Sequence, residues 1–254
     1  MCLLYKDINV KMPALTTNDS AVLHALFDAE SSPSSAIQID SSLPPFPSNL
    51  QITPKDHESL SNREKLIIKS LQTDSVSQET IYSAITALDA LIDDRPNYPP
   101  AYANRAQALR MLVEGQSSPS EKPEITGDVM FTDPANTVIV SRLFADLEQA
   151  INLSTPTSPA DPVPPVQARI LADAHTHRGY LLLKAARARR DSKVQGSGQL
   201  WDSGSDQLEE MASRDFFLGG RYGNKIAQQM AVQTNPYAKM CGAVVKEAMR
   251  KEVR

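Results

Sequence analysis

His175-Thr176-His177, with Asp173 four residues before the second imidazole, is the densest cluster of potential metal ligands in the chain. A bound ion needs its donors on one side. On a helix, residues two apart are rotated by about 200°, so the two imidazoles point to opposite faces and cannot share an ion. Asp173 and His177 do share a face, but two ligands without a third nearby read as a surface pair, not a metal site. Cys2 and Cys241 lack zinc-site spacing and cannot make a disulfide framework. Cys241 falls on an apolar helix face, which predicts a buried structural thiol. No glycine-rich phosphate loop follows a strand, and no acid–base pair converges from sequence. These residues predict no catalytic centre, no metal and no cofactor, so the chain is expected not to be an enzyme.

The elements that carry these side chains read as helices throughout. Apolar positions recur at helical spacing over His57–Gln72, Gln78–Asp93, Pro99–Val113, Ser141–Leu153, Val166–Arg189 and Ser205–Leu218. Asn235-Pro236, a cap followed by a first-turn proline, opens a last helix bearing Met240, Val244, Val245 and Ala248. Asn18 to Phe27 forms a short amphipathic helix, with Asn18 or Asp19 as its cap. No stretch alternates with period two, so the fold class is all-α. The basic run Lys184 to Lys193 reads as a solvated helix end complementing its dipole.

Between the helices, proline and serine collect. Residues 31–54 hold five prolines, each of which removes a donor and disfavours helix in the residue before it, predicting an extended linker. Gly115 to Thr137, Ser154 to Pro165 and Asp191 to Gly204 read as loop insertions. The expected organisation is a tail over 1–17, a docking helix over 18–30, the linker over 31–54, a helical array over 55–223 and a C-terminal capping helix over 224–254.

One helical end-pattern occurs twice: Leu88-Asp89-Ala90-Leu91-Ile92 and Leu147-Glu148-Gln149-Ala150-Ile151. The first runs through Arg95-Pro96-Asn97-Tyr98-Pro99-Pro100 into the aromatic-and-small helix Ala101-Tyr102-Ala103-Asn104-Arg105-Ala106. This resembles tetratricopeptide repeats, helical hairpins that must stack to bury their apolar faces and so form a curved binding surface. Leu88 and Leu147 are 59 residues apart, more than the ~34 of one repeat, and the excess falls where loop chemistry appears. Three repeats, the minimum for a stable array, are expected to form a short right-handed superhelix with N- and C-terminal flanking helices.

Three segments together make the resemblance more specific: Asn18 to Phe27, Ala101 to Ala108 with Asp146 to Ser154, and Asn235-Pro236-Tyr237-Ala238-Lys239-Met240-Cys241. In order and context they resemble the tetratricopeptide repeat protein 36 family from about Asn18 onward, with longer loops and linker here. The resemblance implies three repeats, no catalytic apparatus and a protein-binding role; that family is similar to chaperone-linked adaptors and is tied to tyrosine catabolism. First helices line the concave groove in the resembled family, which makes Lys69, Asn104, Arg105, Asp173 and His177 the candidate groove residues. Some such domains clamp the acidic C-terminal tail of a chaperone with Lys, Asn and Arg. Here Asp173 and His177 stand where two cations are wanted, so the full clamp is not expected.

The expected partner is therefore a protein or peptide client, a chaperone or a metabolic enzyme being the classes considered. With 254 residues and a net charge of −4, no general nucleic-acid-binding field is expected. No apolar run approaches the ~18 residues needed to span a bilayer. The start, Met1-Cys2-Leu3-Leu4-Tyr5-Lys6-Asp7, lacks the apolar core of a signal peptide, so a cytoplasmic location is the default expectation.

Overall fold

The computed structural model describes residues 37–73, 75–115, 129–191 and 202–235. The Asn18–Phe27 helix, Cys241 and the helix expected beyond Asn235 lie outside them. Eight helices follow in order: α1 (Pro54–Lys69), α2 (Gln78–Asp94), α3 (Pro99–Gly115), the short α4 (Val129–Thr132), α5 (Thr137–Ser154), α6 (Pro165–Asp191), α7 (Ser205–Arg221) and α8 (Lys225–Thr234). Among the described residues there is no strand. One isolated parallel bridge joins Ile39 to Val163.

Local chemistry sets the helix ends. Thr53 closes a capping box with Asp56, and Pro54 occupies the first turn, so α1 starts three residues before the expected His57. Ser77 caps α2 by accepting from Thr80 N. Helices adjacent in this order pack on one another: α2 on α3, α3 on α5, α5 on α6, α6 on α7 and α7 on α8. Fully buried Leu88, Leu91, Leu143, Leu147, Leu181 and Phe216 occupy the seams, with Ala101, Ala106 and Ala150 allowing close approach.

Two segments read from sequence as loops behave differently. The described part of the 31–54 linker packs on the core through buried Phe46, Leu50 and Ile52. Phe46 meets the rings of His57 and Tyr98 edge-on, with centroids 5.1 and 5.8 Å away. Asp40 N donates to Val163 O and Val163 N to Gln38 O, both at 2.9 Å. Before Pro54 its only helical turn is a 3-10 turn over Ser48–Leu50 among the described residues, and the apolar residues between the prolines are worth about 1.5–3 kcal/mol each when buried. The expected Gly115–Thr137 insertion likewise contains α4, whose Met130 and Phe131 are buried.

Helix α8 lies within the stretch 224–254 expected to hold a capping helix, but ahead of the Asn235-Pro236 start read from sequence. Lys225–Thr234 has a thin apolar face that alone specifies little, and its capping residue, Asn224, follows a glycine turn. Gly223 takes φ 101°, a left-handed conformation that glycine adopts without steric cost, ending α7 and reversing the chain. Asn224 then caps α8 by accepting from Ala227 N at 3.0 Å.

At Gly219 helices α6, α7 and α8 converge. A Cβ there would sit 2.7 Å from Thr176 Oγ1, 3.1 Å from Ala172 O and 3.2 Å from Ala227 Cβ. Gly219→Ala must push two helices apart, and we expect a loss of about 1–3 kcal/mol. Gly115→Ala, whose added methyl meets nothing within 4 Å, should stay within about 0.5 kcal/mol of the parent. Urea unfolding of the two variants side by side checks this.

Candidate functional site

Helices α1, α3 and α6 each present a polar face to a groove of about 460 Å³. From α1 come His57, Ser61, Glu64 and Lys65; from α3, Asn104 and Gln107; from α6, Arg169, Asp173 and His177. The α6 residues are spaced by four, so they stack along one side of that helix.

Glu64 organises one end. Its carboxylate accepts from Tyr98 Oη at 2.5 Å and from Asn104 Nδ2 at 2.7 Å. Burial, and then the negative charge of Glu64, hold the Tyr98 phenol far above its ordinary range, so it stays a donor. At the other end Asp173 is solvent-reachable, yet the crowding helices push its carboxyl up, against the pull of Arg169 and a hydrogen bond from Asn224. His57 Nδ1 and His177 Nε2 are buried and have no hydrogen-bond partner among the described residues. Burial, then the charge of Arg110, drive His177 down to about 4, so it is neutral at pH 7. The groove thus offers neutral donors and acceptors between Lys65 and Arg169 on one hand and Glu64 and Asp173 on the other. Such a surface can grip a polar chain by hydrogen bonds.

Of the residues expected in a groove, Asn104, Asp173 and His177 are brought together. Lys69 is not: it is exposed in the last turn of α1, and Lys65, one turn earlier, lines the groove instead. Arg105 is not either. It points between helices, with Nε and Nη2 donating to the two Asp146 oxygens at 2.8 and 2.6 Å and Nη1 to Asp89 at 2.7 Å. Burial opposes its charge, but Asp146 and Asp89 more than compensate, so it is held above its ordinary value. Arg105 is turned about 100° from Asn104 on the helix, and Asp146 and Asp89 draw its guanidinium into the seam between helices instead.

The histidine pair separates as its spacing dictates. His177 enters the groove, while His175 Nδ1 meets Asp215 Oδ1 of α7 at 2.8 Å. Arg178 grips the same carboxylate with two bonds, at 2.7 and 2.8 Å. Burial pushes the Asp215 carboxyl up, but the bonds from His175 and Arg178 hold it below the ordinary range. The ring of Tyr222 lies parallel to that of His175, with centroids 6.3 Å apart. Among the described residues, no three His, Cys, Asp or Glu side chains converge as a metal would require. Glu64, Lys65, Gln107 and Arg169 were missed from sequence; the spacing of four from Arg169 through Asp173 to His177 was the available signal.

Two outcomes follow. Arg105→Ala strands the buried Asp146 carboxylate and should cost about 3 kcal/mol or more, whereas Asn104→Ala, leaving Glu64 still bonded by Tyr98, should cost only about 1 kcal/mol. For His177 the folded value, about 4, lies below the unperturbed 6.5. Between those values the unfolded chain takes up a proton that the folded chain refuses, so stability falls as pH drops from 6.5 towards 4. His177→Gln should flatten that part of the curve, as read from denaturant midpoints between pH 7.5 and pH 4.5.

No family model and no solved structure significantly matches the chain. A curated relative does. Over 250 residues the chain is 66% identical to the "L-tyrosine degradation gene cluster protein hmgX" of Aspergillus fumigatus, covering 97% of this chain and 96% of that protein. Identity at this level over nearly the whole length of both chains leaves no room for a different fold or a partial match. The chain belongs to the family of the L-tyrosine degradation gene cluster protein hmgX.

Proposed function

We propose that this protein is a non-enzymatic adaptor that holds a protein client of L-tyrosine degradation in the groove between α1, α3 and α6. The observation that carries the reading is that groove: helices α1, α3 and α6 contribute Glu64, Asn104, Asp173 and His177 to one hydrogen-bonding surface. The relative named for an L-tyrosine degradation gene cluster supplies the metabolic context. In this reading α1/α2, α3/α5 and α6/α7 are three tetratricopeptide-type hairpins in a short right-handed superhelix, as in the tetratricopeptide repeat protein 36 family, and the location is cytoplasmic.

An internal equivalence supports the repeats. In α3/α5, Arg105 precedes Ala106 and bonds Asp146, which precedes Leu147; in α6/α7, Arg178 precedes Gly179 and bonds Asp215, which precedes Phe216. The same cation–small and carboxylate–apolar pairs recur at matching places in two hairpins. α8, packed on α7, covers a face that a terminal hairpin would otherwise leave open.

A second reading, a co-factor recognising an acidic Hsp70-type tail, is favoured by one observation: Asn104 shares its groove with Lys65 and Arg169. Glu64 and Asp173 oppose it, because both would repel an aspartate-rich tail.

Tagged protein recovered from cells growing on L-tyrosine should carry an enzyme of that breakdown. Asn104→Ala combined with Arg169→Glu should lose that enzyme while still folding, with a melting midpoint only a few degrees below the parent's. Turnover of an aromatic substrate by the purified chain alone would remove the adaptor reading. Saturable binding of an acidic C-terminal peptide, abolished by amidating its terminal carboxylate, would favour the chaperone alternative.

A further inference from the structure

On the other side of α6 from the groove lies a second cavity, of about 720 Å³, between α5 and α7 and closed at one end by α4. That volume is within the ~300–1,000 Å³ typical of small-molecule sites, and no residue is shared with the groove. Contacts fix how its walls run. Ser154 O accepts from Gln167 and Glu148 lies near Arg178, so α5 and α6 are antiparallel. His175 meets Asp215 while Arg190 meets Glu209, so α6 and α7 are antiparallel as well. Helices α5 and α7 therefore run parallel, and their residues face each other in layers.

Three layers result. At one end stand Glu148 of α5 and Arg214 of α7, both with exposed side chains. Arg214 has no ion-pair or hydrogen-bond partner among the described residues, and Glu148 no hydrogen bond; only the charge of Arg178 acts on it. The second acid there, Asp215, is already satisfied by His175 and Arg178. One helical turn further are Phe144 and Met211, with Leu182 of α6 behind them. Another turn on are Ser141 and Gln207, both able to bond a hydroxyl. At ~1.5 Å per residue, the steps from Glu148 to Phe144 and to Ser141 are about 6 and 10 Å.

From this sequence of an unmatched anion and cation, an apolar slot lined by Phe and Met, and a hydroxyl-bonding rim, we infer that the cavity binds an aromatic α-amino acid carrying a polar ring substituent. The α-carboxylate meets the Arg214 guanidinium and the α-ammonium meets Glu148, charge-assisted bonds that anchor one end. The ring lies between Phe144 and Met211, where aromatic and thioether contacts are favourable. The para hydroxyl reaches Ser141 and Gln207. A simple organic acid or amine would leave one of the two charges unanswered.

Isothermal titration of the full chain, with L-tyrosine as probe, tests the assignment. Saturable binding is expected, at least about tenfold tighter than that of tyramine or of 3-(4-hydroxyphenyl)propanoate, and absent for L-alanine. Arg214→Ala should abolish the preference over tyramine, and Glu148→Gln the preference over the propanoate. Met211→Trp, at a half-exposed position, should fill the slot and remove binding without lowering the melting temperature. No saturable heat up to the solubility limit of L-tyrosine overturns the inference, as does binding that survives Met211→Trp or keeps its full selectivity in both charge variants. Loss of groove-bound client in the earlier experiment leaves this outcome unaffected, because the two sites share no side chain.

Discussion

Two buried carboxylates hold the described helices in register. Asp146 and Asp215 lie deep between helices, where an unpaired charge would be untenable, and each is gripped by two bonds from an arginine one helix back. A forked guanidinium meets a carboxylate in one plane and at one distance, so it fixes rotation and sliding as an apolar seam does not. Arg105 extends its tie to Asp89, which Arg142 also reaches at 2.5 Å, so α2, α3 and α5 are linked through Asp89, shared by two arginines, and Asp146. His175 adds a second donor to Asp215 and brings the Tyr222 ring against α6.

That rigidity has consequences on both sides of α6. Asp173 and Leu182 are nine residues apart, a half-turn difference in facing, so the helix presents one to the groove and the other to the cavity. Arg178, bonded to Asp215, lines the cavity near Glu148, while Gly219 lets α6, α7 and α8 approach closely. A shift of one helix past another would break the charged ties before it reshaped either surface. Both are therefore preformed, which lowers the ordering cost of whatever binds there.

The edges of the structure are built by residues that look like loop. Phe46 packs against His57 and Tyr98, so the proline-rich segment before α1 becomes part of the groove's outer wall. Met130 and Phe131 of α4 close the end of the cavity. In both cases one or two large apolar side chains in a polar, proline-containing stretch outweigh the composition around them. Burial is an energy per side chain, whereas composition is an average.

By itself the sequence determined the helices and their order. Apolar spacing placed α1, α2, α3, α5, α6 and α7 to within a few residues, because a 3.6-residue period is a local property. It also determined that His175 and His177 must part and that Asn104, Asp173 and His177 lie on helices. Only the tertiary structure decided which neighbour of a groove residue is a strut: Arg105 differs from Asn104 by one step of rotation, and nothing local says where Asp146 will be. It likewise decided that Lys65, not Lys69, enters the groove, that Lys225–Thr234 is worth folding as a helix once Gly219 and Gly220 admit it, and that Glu148 and Arg214, 66 residues apart, line one cavity. Those facts depend on the angle and register between helices, which are set by long-range contacts with no periodic signature in the chain.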